Sequence, residues 1–188
     1  NEWVINGDAK DKKILEKYEL ENKKYIVCIY TLEPRKNHVN LIKGFAKFKQ
    51  DTGSEVKLVI AGKKGWYYDE IFEVVEEFGM RQDVKFLGYV PNEDVASLYS
   101  HAKASVMLSF YEGFGIPLIE SLYFNLPTLA ADIPVFREVL ADNALYTDQF
   151  DPVIISDNLR KLVNEKKPST KDYILKNCTY ERSAKELL

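Results

Sequence analysis

Cysteine, histidine and a dominant sign of charge are what this sequence has least of. Its 188 residues hold two cysteines and two histidines, and 26 Lys and Arg stand against 29 Asp and Glu. Cys28 and Cys178 lie far apart, so neither a disulfide framework nor a zinc site is expected, and a reducing compartment is. Cys28 sits in the apolar run YIVCIY, where a small buried hydrophobe fits. His38 and His101 have no cysteine or acid at ligand spacing, so ordinary polar roles are expected for both and no metal site. The net charge of -3 offers no basic field for nucleic acid. The lysine runs are interleaved with acids and read as solvated surface. No apolar run reaches the ~18 residues of a membrane-spanning helix, and the opening residues show no leader pattern. A Gly-x-Gly-x-x-Gly turn after the first strand and a Gly-Lys-Ser/Thr phosphate loop are both missing, which disfavours a nicotinamide site and a nucleoside triphosphatase.

What is present is an ordinary globular composition, 46% hydrophobic and 29% charged, at a length that suits one domain with its own core. Buried-strand runs alternate with helical patterns. The strands are KYIVCIYT (24–31), VKLVIAG (56–62), VKFLGYV (84–90), ASVMLS (104–109), PTLAAD (127–132) and ALYTD (144–148). The helices between them are NHVNLIKGFAKFKQD (37–51), YDEIFEVVEEFG (68–79) with a Gly C-cap, NEDVASLYSHA (92–102), a segment opened by Pro117 and running to about 125, and PVFREVLAD (134–142). Asn37 and Asn92 suit N-caps. Residues 1–23 read as an approach segment with one amphipathic helix over 9–20, and 152–188 as all helical, ending in YERSAKELL. The alternation predicts an α/β fold, a Rossmann-like doubly wound parallel sheet of about six strands with flanking helices and a helical tail over 24–188. Ligands of such sheets bind beyond the carboxyl ends of the strands, which singles out loops 32–37, 62–68, 88–92, 109–117 and 132–134.

The unusual residues fall in those loops. In TLEPRKN, Pro34 stiffens the chain while Arg35 and Lys36 stand beside a helix start, where a planar fork and a point charge can meet phosphate oxygens. In SFYEGFGIPLIESL, Glu112 and Glu120 are eight residues apart around Gly113, Phe114, Gly115 and Pro117. On one helix they would stand about 80° apart, but the glycines and the proline break that helix. Glu112 is therefore expected on a strand-end loop and Glu120 about one turn inside the following helix, with backbone N–H groups and a helix N-terminus offered to an anion between them. Carboxylates accept paired hydrogen bonds from vicinal sugar hydroxyls, so cations for a diphosphate with carboxylates on both flanks fit a nucleotide-sugar. In LGYVPNED, Tyr89 and Val90 leave a strand end with free backbone groups, an edge for a nucleobase. Trp66, Tyr67 and Tyr68 read as local packing, and Asp132 and Glu138, at the end of the fifth strand, as ordinary polar residues, with a place facing the cleft as the lesser alternative.

YTLEPRKNHVNLIKGF, LVIAGKKGW and the run from VKFLGYVPNED to DIPVFREVL together resemble family 4 glycosyltransferases, and specifically the C-terminal donor-binding half of their two-domain GT-B fold. The resemblance covers about 24–188. It implies that Arg35 and Lys36 hold the donor diphosphate, Glu112 the donor sugar and Glu120 the ribose. Gly113, Phe114 and Gly115 would touch phosphate or sugar, and Tyr89 and Val90 the base. It further implies a retaining hexosyltransferase of polysaccharide or glycolipid synthesis, using a UDP- or GDP-linked sugar as substrate, with no cofactor and no metal; no Asp-x-Asp pair is present. Where many members carry a Gly-Arg pair after the first strand, this chain has Ile29-Tyr30-Thr31-Leu32, and Arg35 stands as the compensating cation. The acceptor-binding N-terminal domain of the family has no counterpart here, so little transfer is expected of this half alone. A cytoplasmic location is implied, at the inner face of the membrane for a full-length protein. A non-catalytic nucleotide-sugar-binding module and a sugar-nucleotide epimerase are the alternative readings.

Overall fold

A computed structural model describes residues 12–166 and 168–178. Within them six strands run parallel in the order β3-β2-β1-β4-β5-β6. The strands are β1 (Tyr25–Ile29), β2 (Lys57–Ala61), β3 (Val84–Gly88), β4 (Ala104–Met107), β5 (Thr128–Ala131) and β6 (Leu145–Thr147). The helices are α1 (Lys13–Lys17), α2 (His38–Thr52), α3 (Asp69–Glu77), α4 (Asn92–His101), α5 (Ile116–Tyr123), α6 (Pro134–Leu140), α7 (Pro152–Asn164) and α8 (Lys171–Asn177). The order of elements agrees with the pattern of the sequence, with each strand two or three residues shorter than its apolar run. The ends of those runs become the strand-end loops. The helix expected over YERSAKELL lies outside the described residues, as do residues 9–11 of the N-terminal one.

Continuous apolar strands bury both faces of the sheet. Along β1 and β2, Ile26, Cys28, Leu58 and Ile60 face a core shared with Leu41 and Phe45 of α2, Val74 of α3 and Ile155 of α7. Tyr25, Val27, Val59 and Ala61 face a second core with Ile14 of α1 and Leu98 and Tyr99 of α4. The period of two in a strand separates the two sets. Burial pushes the Cys28 thiol up to about 12, so it serves as a small hydrophobe, and both cysteines are free. The sheet's reversal of winding lies between β1 and β4. There the ladder pairs Ile26 with Ala104 and Val27 with Ser105 and stops, although both strands run two residues further. A crevice opens above that point, where the loops after β1 and β4 rise side by side.

Two caps expected from the sequence are not caps. Asn92 is the first residue of α4, preceded by an extended Pro91, and makes no side-chain cap. Asn37 precedes α2 in a left-handed conformation, φ 57°, and caps nothing. Its buried Nδ2 donates instead to the carbonyls of Leu108 (3.0 Å) and Gln149 (2.7 Å). One amide thereby ties together the loops after β1, β4 and β6. Asn tolerates a left-handed backbone better than most residues, and its side chain satisfies two buried acceptors.

His38 also departs from the polar role expected of it. It is 1% exposed, its ring lies 4.9 Å from that of Tyr30, and neither ring nitrogen finds a hydrogen-bond partner. Burial, then the charge of Lys36, push its pKa down to about 3. His101 keeps the polar role, with Nδ1 2.9 Å from the Ser97 carbonyl.

Replacing Asn37 with Ala takes the side-chain donor from the Leu108 carbonyl and leaves the Gln149 carbonyl only the longer bond from Asn40 Nδ2 at 3.3 Å, and is expected to lower the unfolding free energy by about 1–3 kcal/mol. Urea denaturation measures this, and a loss below about 0.5 kcal/mol, within the range of an ordinary surface substitution, would refute the clamp. His38 supplies a pH dependence. Its folded pKa lies below its ordinary 6.5, so its contribution to stability is present above pH 6.5 and is lost as pH falls toward 3. NMR titration of the imidazole should show no His38 midpoint near 6.5; finding one would contradict its burial as a neutral ring.

Candidate functional site

The loop after β1 folds into a single 3₁₀ turn, Pro34–Lys36, with Pro34 at its start. This turn delivers Arg35 and Lys36 to the mouth of the crevice. The loop after β4 is held beside it by a backbone bond from the Phe110 N–H to the Arg35 carbonyl at 2.9 Å. Glu112 is consequently brought onto both cations. Its Oε1 accepts from Lys36 Nζ at 2.5 Å and lies 2.9 Å from Arg35 Nη1. Lys36 is 8% exposed, which is rare for a lysine without a partner. Burial works to raise the Glu112 carboxyl, but the hydrogen bond and charge of Lys36 together with Ser109 and Arg35 outweigh it, so its pKa lies below the ordinary value and the group is ionised at neutral pH.

Glu33 was not anticipated. It is 3% exposed, and its Oε1 accepts from Arg35 Nη2 at 2.6 Å. The Arg35 guanidinium is thus held by a carboxylate at each terminal nitrogen, with a further bond from Nη1 to the Tyr111 carbonyl at 3.2 Å and the Tyr111 ring 5.4 Å away. The signal for Glu33 was its place two residues before Arg35 in LEPRK, where the ring-like turn of a 3₁₀ segment lets the two side chains meet. Two cations and two carboxylates leave this cluster with no excess charge.

Behind Glu112 the chain turns through Gly113, Phe114 and Gly115 into α5. A Cβ at Gly113 would meet nothing within 4 Å, so the backbone there is open to close approach. Gly115 has φ 88°, and a Cβ on it would fall 2.6 Å from the Phe136 ring. Only glycine satisfies that backbone and that packing together. Phe114 is exposed. Pro117 lies in the first turn of α5, as its position in the sequence suggests, and Glu120 is 7% exposed one turn further in.

Glu120 belongs to a different part of the crevice from Glu112. It lines a cavity of about 370 Å³ together with Tyr30, Gly62, Lys63, Tyr89 and Val90. Val90 is buried in the second core, Tyr89 is exposed, and Lys63 Nζ stands 4.6 Å from the Tyr89 ring centre. Gly62 closes the floor: its N–H donates to the Gly88 carbonyl at 2.7 Å, and a Cβ there would lie 2.0 Å from the Tyr30 carbonyl oxygen. Burial and then the Glu120 charge hold the Tyr99 phenol well above its ordinary pKa. The structure therefore gathers Tyr89, Val90 and Glu120 in one cavity and Arg35, Lys36 and Glu112 in one ion cluster, with the Gly113–Gly115 turn leading from the cluster to the helix that carries Glu120.

Other residues singled out in the sequence divide. Tyr68 packs edge-on against Phe72, rings 6.0 Å apart, whereas Trp66 and Tyr67 stand exposed on the loop after β2. Asp132 is paired through both carboxylate oxygens with Arg137, at 2.7 and 2.8 Å, and Arg137 lies 3.8 Å over the Tyr146 ring. Among the described residues no group of three or more His, Cys, Asp and Glu is placed to hold a metal ion, and no helix is long and apolar enough to cross a membrane.

The chain is similar to the O-antigen chain mannosyltransferase B of Escherichia coli, with 32% identity over 159 residues that make up 85% of this chain and 42% of that protein. It is likewise similar to the O-antigen chain mannosyltransferase RfbU of Salmonella typhimurium, with 34% identity over 79% of this chain and 40% of that protein. It thus spans less than half the length of these two relatives. Among solved structures, the fold matches Anabaena HepE in complex with UDP and glucose at a TM-score of 0.79 and 19% identity, over 93% of this chain and 50% of that one. The family model for glycosyl transferases group 1 matches residues 10–177, and the chain belongs to that family.

Proposed function

We propose that this chain is the donor-binding half of a retaining glycosyltransferase. The whole protein would transfer a hexose from a nucleoside diphosphate sugar to an acceptor hydroxyl in polysaccharide or glycolipid synthesis. The observation that carries the reading is the joining of two unlike subsites at the reversal of the sheet: a buried ion cluster of Arg35, Lys36 and Glu112, and a neighbouring cavity edged by Glu120 and Tyr89. A nucleotide-sugar has the same order of parts. Its base and ribose suit the cavity, where Glu120 accepts from the ribose hydroxyls. Its diphosphate suits Arg35, Lys36 and the start of α5, and its sugar suits Glu112 and the open backbone at Gly113.

In this reading Arg35 and Lys36 stabilise the charge that builds on the departing diphosphate as the sugar C1–O bond breaks. Fixed cations in a partly buried site do so with little reorganisation, so no metal ion is assigned and no cofactor. The mannosyltransferase names of the two relatives favour a hexose donor, and the UDP and glucose bound to Anabaena HepE favour this class of ligand for the fold. The acceptor pocket is assigned to the part of a full-length protein beyond this half, which would make the isolated half a binder with little turnover and leave any membrane association to the whole protein.

Calorimetric titration with UDP, GDP and ADP tests the donor site: at least one should bind in the micromolar to millimolar range, and the absence of binding by all three would overturn the assignment. Glu120→Ala removes a charged acceptor worth about 1.5–3 kcal/mol to a hydroxyl pair, so affinity for the nucleotide that binds should fall about ten- to a hundredfold. An unchanged affinity would move the ribose elsewhere.

A further inference from the structure

The ion cluster carries a consequence for which nucleotide the site keeps. Lys36 and Arg35 are the cations that a diphosphate would seek, and in the structure both are already engaged by one oxygen of Glu112, at 2.5 and 2.9 Å. The side chains of Lys36 and Glu112 are each about nine-tenths buried. Water therefore screens their pairing weakly, and the carboxylate cannot swing away into bulk solvent at no cost. Glu33 fixes the other end of Arg35 at 2.6 Å, which keeps the guanidinium from leaving Glu112 to follow a ligand.

Two ligands meet this arrangement differently. The terminal phosphate of a free nucleoside diphosphate carries extra negative charge and no hydroxyl donor beyond that phosphate. Bound to Lys36 and Arg35, it sets an anion against Glu112 and gives that carboxylate nothing in return. A sugar ester on the same phosphate removes a charge and brings hydroxyl groups that donate to Glu112. We infer that Glu112 sets the preference of the site for the sugar-linked nucleotide over the free nucleoside diphosphate, by competing with the terminal phosphate for Lys36 and Arg35. The inference rests on the donor-site reading above and adds to it a role in discarding the spent nucleotide.

Glu112→Gln keeps the shape of the side chain and removes its charge, leaving the cluster one positive charge in excess. Titration of UDP, GDP and their hexose-linked forms into the wild-type chain and this variant reads the result. For the base that binds, the free diphosphate should bind the variant about tenfold tighter or more, on the order of one close charge pair at partial burial. The sugar-linked form should gain less or lose affinity, so the ratio of the two Kd values falls at least about tenfold in favour of the free diphosphate. An unchanged ratio, or a free diphosphate that binds the variant more weakly, overturns the inference while the donor site stands. A wild-type chain that binds none of the four nucleotides overturns the donor site and the inference with it. Thermal unfolding checks that the variant is folded; should it not be, Glu112→Ala is read by the same ratio.

Discussion

The short pairing of β1 with β4 is the constraint on which the rest of the molecule depends. Helices wind one way from β1 through β3 and the other way from β4 through β6, so only at this seam do two carboxyl-end loops rise next to each other with no helix between them. The ladder stops after Val27 and Ser105, and the strands part above it. The gap is partly filled by Tyr30, whose hydroxyl donates to the Val106 carbonyl at 3.4 Å and whose ring backs His38. Above that floor the loops are tied by the Asn37 amide and by the backbone bond from Phe110 to Arg35. Both fastenings end on main-chain carbonyls, so they fix the loop backbones directly.

The same seam explains the electrostatics. Lys36 and Glu112 are separated by 76 residues yet meet at 2.5 Å, largely out of water. A buried ion pair gains little stability over apolar packing, because desolvation offsets most of its Coulomb attraction. Its position in the crevice over the reversal of the sheet is therefore better explained by the donor site proposed above than by stability. Glu33 adds a second buried carboxylate to the same guanidinium, and the outcome is a cluster that is strongly polar and nearly neutral. Such a cluster attracts an anion less than two bare cations would, and it discriminates by what else the anion brings.

Much of the fold was legible because its strands are continuously apolar and its helices periodic. The YIVCI of β1 cannot be an exposed element, and the alternation of such runs with helical segments points to a parallel sheet with right-handed crossovers. The broken helix between Glu112 and Glu120 was legible as well, since Gly113, Gly115 and Pro117 oppose helix by well-understood local sterics. The misreadings came where local and tertiary demands compete. Asn37 has the chemistry of a cap but is drawn into a left-handed turn by two distant carbonyls. His38 is polar by type but packs as a ring against Tyr30. Trp66 and Tyr67, expected to pack, stand in solvent on a loop that the sheet turns outward.

By itself the sequence determined the class of the fold, the order of its elements and the loops that could hold a ligand, because each follows from periodicity and backbone sterics within about a dozen residues. It also supplied the residue types of the site, cations in one loop and carboxylates around another. The tertiary structure decided the strand order, hence which loops become neighbours, and so the pairing of Glu112 with Arg35 and Lys36 and the separation of Glu120 into its own cavity. Those depend on contacts across 70 residues or more of chain, and such contacts are set by how the two halves of the sheet are joined, which no local pattern encodes.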